Sequence, residues 1–280
     1  MRIPKSLLNF AILLTLPGLA ISQRLWAQST PDTIKARLVG QPLFLRGCWG
    51  DDKLKFDADG RPQSDYKIVS FTESAIDVRS AKVSGDRLQV TGQRVGLEFV
   101  NGNPQRIDIK GRGYDGKITI DVRGAAGGDF DKALDAIFAP DVASLLPTLP
   151  DYWRGYVAKH LSATPADADE TSGPGARSAI KGAGQQLRVG GAVTRPVVVS
   201  SAQPDFTETA RLSKFSGNVL VYLWVLEDGS PSHLRIVRPA GLGLDEKAIE
   251  AVSKYQFKPA TKDGVPVVVE LYIDVNFKLF

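Results

Sequence analysis

Residues 217–280 read GNVLVYLWVLEDGSPSHLRIVRPAGLGLDEKAIEAVSKYQFKPATKDGVPVVVELYIDVNFKLF, and the periods within this stretch decide the architecture of the chain's last third. From Asn218 to Leu226 both faces are apolar, Val219, Val221, Leu223 and Val225 on one and Leu220, Tyr222, Trp224 and Leu226 on the other, which predicts a central strand. The turn Glu227-Asp228-Gly229-Ser230-Pro231 leads into His233 to Arg238, where Leu234 and Ile236 mix with Arg235 and Arg238 as on a strand nearer an edge. A helix follows, with Asp245 expected as N-cap, Glu246 in its first turn, Lys254 in its last and Pro259 as the stop; its apolar stripe is Leu244, Ala248, Ala251, Val252 and Tyr255. Val267, Val269, Leu271, Ile273, Val275, Phe277 and Leu279 then alternate with Glu270, Asp274, Asn276 and Lys278, predicting one long strand with a buried and a wet face.

Before this module lie an extended lead-in, residues 187–199, and a short helix after Pro204 with Thr207 as its cap and Ala210 on a later turn. Residues 162–186 are Ala, Gly, Ser, Thr, Pro and Asp with almost no large apolar side chain, the composition of a flexible linker that lets the C-terminal module sample a volume around the N-terminal region. The expected domains are therefore a β-rich one over 31–161 and a second over 187–280.

In the first domain, short β runs alternate with turn dipeptides: 42–48, 53–56, 66–72, 76–83, 87–91, 95–99, 105–110 and 117–122, with Asp59-Gly60, Asn101-Gly102 and Asp115-Gly116 suited to tight hairpins. This spacing predicts an antiparallel sandwich or a partly open barrel. The period then becomes helical at Phe130, Ala133, Leu134, Ile137 and Phe138, with Asp129 as N-cap, and again over 151–161 with Tyr152, Trp153, Tyr156 and Val157. The fold class is α+β throughout.

The net charge of +4 and pI of about 9.1 raise the question of nucleic acid. Arg2, Lys5 and Arg24 stand in the first 27 residues with no acid among them, so the remainder is close to neutral and no basic stripe is left to neutralise phosphates. Those first 27 residues have the layout of a secretory signal peptide: Arg2 and Lys5, an apolar run over 6–21, then Gly18, Ala20 and Ala27. The run is shorter than the roughly 20 residues of a membrane span and contains Asn9, Thr15 and Pro17, so cleavage after Ala20 or Ala27 is expected, with a short N-terminal anchor as the alternative. Export places the chain in an oxidising compartment, where the single Cys48 forms no internal disulfide and reads as a buried inert thiol.

Three patterns suggestive of chemistry have structural readings. Gly111-Arg112-Gly113-Tyr114-Asp115-Gly116 matches a dinucleotide fingerprint, but a strand follows it where a helix is needed, so it reads as a glycine-rich hairpin. Asp51, Asp52, Asp57 and Asp59 lack the spacing of a calcium loop, and Asp57-Ala58-Asp59-Gly60 reads as a turn. His160 and His233 have no metal-ligand partner at useful spacing. No residue is singled out as catalytic, cofactor-binding or metal-ligating, and an enzyme is not expected.

Residues 204–280 resemble the C-terminal domain of the TonB family, energy transducers of the Gram-negative periplasm. The matching residues are Pro204, Phe206 and Ala210, Gly217 and Val219, Asp228-Gly229, Leu244-Asp245 with Ala248 and Ala251, Tyr255, Phe257, Pro259-Ala260, Asp263-Gly264-Val265-Pro266, and Val275-Asn276-Phe277. The resemblance implies a three-stranded antiparallel sheet with two helices that binds the N-terminal box of an outer-membrane transporter by strand addition. Independently, a last strand of about 13 residues would run roughly 44 Å, longer than its neighbour, leaving an open edge for an extended peptide unless residues 187–199 or a second copy in a homodimer pair with it. The residues expected to hold the partner are Val267, Val269, Leu271, Ile273 and Val275 on that strand, with Pro204 and Phe206. The anchor histidine that motor-coupled family members keep is missing from residues 1–30, and so is their long Pro-rich spacer. A periplasmic partner-binding protein is thus expected, with an exported scaffold lacking energy transduction as the alternative.

Overall fold

The computed structural model describes residues 30–111, 113–162 and 189–279. The leader and, apart from Ser162, the linker segment lie outside the described residues.

Thr30 accepts the backbone N–H of Thr33, and Thr33 Oγ1 in turn accepts the Thr30 N–H; with Pro31 in the first turn, this starts α1 (Pro31–Leu38) where a β region was expected. Then come β1 (Pro42–Leu45), β2 (Lys53–Phe56), β3 (Ala75–Ser84), β4 (Arg87–Val100), β5 (Asn103–Asp108), β6 (Lys117–Arg123), α2 (Asp131–Ile137), β7 (Phe138–Ala139) and α3 (Asp151–His160). The expected strand over 66–72 is instead irregular chain ending in a 3₁₀ turn, Phe71–Glu73. The expected runs 87–91 and 95–99 are one strand.

These strands form a single seven-stranded sheet in the order β2-β6-β4-β3-β1-β7, with β5 also on β4. The first half of β4 pairs with β6 and the second half with β5, so the sheet divides along this strand. All pairings are antiparallel except β2 with β6. Asn101 and Gly102, at φ 53° and 80°, make the tight β4–β5 turn that their sequence predicts, because both positions need positive φ. The helix α2 begins one residue later than expected, and Asp129 accepts the N–H of Asp131 rather than capping it. Helices α1 and α2 bury Ile34, Leu38, Leu134 and Ile137 against Leu54, Ile76, Leu88 and Ile118 of the sheet.

The second part contains β8 (Val197–Ser200), α4 (Glu208–Leu212), β9 (Gly217–Val225), β10 (Pro231–Arg238), α5 (Leu244–Val252), β11 (Gln256–Lys258), β12 (Ala260–Lys262), β13 (Val265–Val267) and β14 (Val269–Phe277). The principal sheet is β10-β9-β14, with β9 central as its two apolar faces require. Thr207 caps α4 by accepting the Ala210 N–H. For α5 the expected cap is displaced: Gly243 occupies the N-cap position, and Asp245 sits inside the helix. The Asp245 carboxylate instead reaches back to accept the N–H groups of Ala240 and Gly241, each at 2.8 Å, satisfying donors of a loop that packing has removed from water.

The two parts share one core. Trp153, Tyr156 and Val157 of α3, with Phe71, Val95 and Leu97, pack in the same cluster as Val221, Leu223, Leu244, Phe257 and Phe277. Backbone bonds cross as well: Phe99 N–H to Ala240 C=O at 2.9 Å and Leu242 N–H to Leu97 C=O at 3.0 Å, flanking a bridge between Glu98 and Gly241. The expected free sampling of the second part around the first is corrected by this seam, which linker composition could not reveal.

Candidate functional site: the outer edge of the last strand

The long final strand expected from alternation is two strands. Val267 ends β13, a short hairpin arm paired with Ala260 of β12, and Val268 turns onto the outer face under Tyr222 and Trp224. The strand resumes as β14 and pairs with β9 over their whole lengths, Val269 opposite Val225 through Phe277 opposite Gly217. No overhang results, so the length argument for an open edge fails.

An open edge exists for a different reason. In the order β10-β9-β14, the strand β14 is terminal, and among the described residues nothing pairs with its outer side. The lead-in residues do not cover it: β8 pairs with β11, and Val193 bridges to Lys262.

Strand parity identifies the backbone groups on that side. Leu226 donates its N–H to Ser230 C=O at 2.9 Å across the β9–β10 turn, so even-numbered β9 residues direct their backbone groups toward β10 there and odd-numbered ones toward β14. Asn218 and Asn276, directly opposite, join their side chains at 2.7 Å, and the Tyr222 and Tyr272 rings meet at 5.3 Å, as suits the closer, non-hydrogen-bonded pairs. Val269, Leu271, Ile273, Val275 and Phe277 therefore bond inward to β9. Glu270, Tyr272, Asp274 and Asn276 present their N–H and C=O groups outward.

The structure brings four of the seven expected partner residues onto one strand, with Val269 and Val275 buried and Leu271 and Ile273 half-buried beneath the edge. Val267 stands apart on β13. Phe206 is half-buried with its ring edge-on to Phe277 at 5.5 Å, and Pro204 is half-buried at the same end of the module. Sequence reasoning missed the four residues whose backbone faces out; the Leu226–Ser230 turn carried the parity that would have found them.

On the outer face Trp224 donates its indole N–H to Tyr222 Oη at 2.7 Å and stacks on His233 at 3.7 Å. Burial pushes the Tyr222 hydroxyl up to about 12, the Trp224 hydrogen bond opposes this, and nearby Glu270 adds to it. Burial also lowers the His233 pKa. Arg238 and Asp274 form an ion pair at 2.8 Å that is half-exposed and contributes little.

A cleft of about 1100 Å³ opens between the two parts, lined among others by Cys48, Glu73, Arg94, Phe206, Thr207 and Glu246. Cys48 lies beyond the end of β1, half-buried, and burial pushes its thiol up to about 11. The glycine-rich stretch from Gly111 closes with a Gly111–Tyr114 bridge and leads into β6, and Asp57 holds its turn by accepting the N–H groups of Asp59 and Arg61.

Comparison with known proteins places the second part. Protein TonB of Vibrio cholerae is 33% identical over 89 residues, which cover 31% of this chain and 36% of that protein, so the chain spans about a third of the length of this relative. The solution structure of the Pseudomonas aeruginosa TonB C-terminal domain aligns at 16% identity and a TM-score of 0.26, covering 34% of this chain and 96% of that one. Residues 202–279 match the model of the family described as the Gram-negative bacterial TonB protein C-terminal.

Proposed function

We propose that this chain is an exported TonB-like protein whose second part recruits an extended segment of a partner, an outer-membrane transporter, by adding it as a fourth strand beside β14. The observation that carries this reading is the outward set of backbone groups on Glu270, Tyr272, Asp274 and Asn276 along an edge with no strand beside it among the described residues. Each main-chain bond gained there contributes about 0.5–1.5 kcal/mol net, and half-buried Leu271 and Ile273 offer apolar surface for the incoming side chains. The chain works in the periplasm, from which a transporter's N-terminal segment is reachable.

A scaffold without energy transduction is the second reading, and the shared core of the two parts favours it: a module fixed to its neighbour presents its edge in one direction. Titrating the ¹⁵N-labelled mature chain with transporter N-terminal peptides tests strand addition. Amide shifts should concentrate at Glu270, Tyr272, Asp274 and Asn276; saturation binding that leaves these four unmoved rules it out. N-terminal sequencing of the exported protein separates the two readings, because a chain cleaved after Ala20 or Ala27 has no membrane anchor with which to engage a motor.

A further inference from the structure

Two carboxylates cross the seam in opposite directions. Glu246, on α5 of the second part, reaches into the first, where its Oε1 accepts both Ser70 Oγ–H at 2.8 Å and Trp153 Nε1–H at 2.7 Å. Glu73, on the 3₁₀ turn of the first part, accepts Ser70 N–H of its own turn at 3.3 Å and lies against the second part, its Oε2 so close to Gly243 that an added Cβ there would approach to 2.4 Å. Beside them Gly243 donates its N–H to Thr72 Oγ1 at 2.9 Å. Each part thus places an acid at the seam: Glu246 is bonded across it, and Glu73 packs across it.

The arrangement is unbalanced at one atom. Glu246 Oε2 is buried with no hydrogen-bond partner among the described residues, whereas Oε1 has two donors. An ionised Glu246 would spread half its charge onto an oxygen without a donor, beside a second carboxylate from across the seam. A proton removes that charge at no cost to either bond on Oε1.

We propose that this pair is a proton-sensitive latch: with Glu73 and Glu246 protonated the two parts stay docked, and with both ionised the seam opens and frees the second part from the first. Burial pushes Glu73 up to about 7, with Glu246 adding to the rise, and burial also raises Glu246, while Ser70, Thr209 and Trp153 act in the opposite sense. Other groups face the pair. Lys67 precedes the 3₁₀ turn and favours ionised Glu73; Lys247 of α5 does the same but is itself tied to Glu250. Asp245 lies next to Glu246, itself raised by burial and by Glu246. Cys48 and Tyr152, neutral at physiological pH, border them, with burial pushing each upward. Glu208 lines the same cleft. The lysines oppose the latch, but Glu73 and the Oε2 of Glu246 are buried at the seam, and Glu246 is bonded across it.

The direction follows from the raised values. Burial holds Glu73 at about 7, above its ordinary 4.5. The part of that rise that comes from the second part stabilises docking at acid pH and is lost as pH rises through about 7.

The test is amide hydrogen exchange of the mature chain between pH 4.5 and 8.5, corrected for intrinsic rates. The seam amides of Phe99, Leu242 and Gly243 should open at least tenfold more often at pH 8 than at pH 5. Core amides of β3 and β6 in the first part should change far less. Glu73→Gln and Glu246→Gln should each flatten the pH dependence, and the double variant should abolish it. If a variant folds poorly, the wild-type profile decides alone: seam protection independent of pH, or lost only together with the β3 and β6 amides, overturns the latch.

Discussion

Trp153 donates its indole N–H to Glu246 Oε1 at 2.7 Å, joining a helix of the first part to a helix of the second. The indole is fully buried and also packs edge-on against Phe71 at 4.8 Å, so its ring and its N–H act separately. Trp153→Phe keeps most of the ring packing and removes the donor. Because Glu246 Oε1 keeps Ser70 as a donor and the docked acid is neutral, the expected cost is about 0.5–1.5 kcal/mol, read as a lower midpoint in urea denaturation with an unchanged far-UV spectrum.

Gly241 sits at φ 104° with its Cα pressed on β4; an added Cβ would stand 2.1 Å from the Leu97 carbonyl oxygen, the same oxygen that accepts Leu242 N–H. Backbone cannot yield there as a side chain tip can. Gly241→Ala should therefore break the seam while leaving the β10-β9-β14 sheet intact. Limited proteolysis should then cut between the parts faster than in the wild type, with both fragments still resistant; unchanged cleavage would show that the seam tolerates the methyl group.

Much of the second part was legible because its strands are amphipathic or fully apolar and short-range turns set their order. The centrality of β9 follows from having two apolar faces to bury. The break at Val268 was not legible: it leaves the odd-numbered residues on the same side before and after, so alternation continues through it unchanged. Helix α1 was missed although Thr30, Pro31 and Thr33 are sound start signals, because a two-turn helix has little period to read. Glu73 and Glu246 resembled ordinary surface acids, since burial by a distant segment leaves no local trace. The four outward-facing edge residues were hidden for another reason: side-chain alternation reports which face is wet, whereas backbone direction depends on pairing.

Cys48 should be slow to react although it borders the cleft. Its thiol is pushed up to about 11 from an ordinary 9, chiefly by burial, with Ser74 hydrogen bonding opposing this and Glu246 and Glu73 adding to it. At pH 6, with the seam closed, this leaves about a hundredfold less thiolate than an unperturbed cysteine has. Labelling with a disulfide reagent should be at least that much slower in the folded chain than in urea. Fast native labelling at pH 6 would contradict the buried setting.

The final prediction separates the two sides of β14. Proline lacks the N–H and is tolerated in a sheet only where that group faces away from the ladder. Tyr272 directs its N–H outward, so Tyr272→Pro should leave the pairing with β9 in place and cost little beyond the half-exposed ring's contact with Tyr222. Ile273, opposite Val221, bonds inward, so Ile273→Pro removes a ladder bond, leaves the facing carbonyl of Val221 without its donor and should destabilise the second part by at least about 1–3 kcal/mol. Circular dichroism and thermal melting check the folding difference. Peptide titration then isolates the function: a folded Tyr272→Pro chain should bind transporter peptides at least tenfold more weakly than the wild type, because one or more main-chain bonds at the middle of the edge are gone and the ring obstructs the incoming strand. If the folded variant binds as well as the wild type, the partner does not add at this edge, and the half-buried Leu271 and Ile273 serve the module's own core alone.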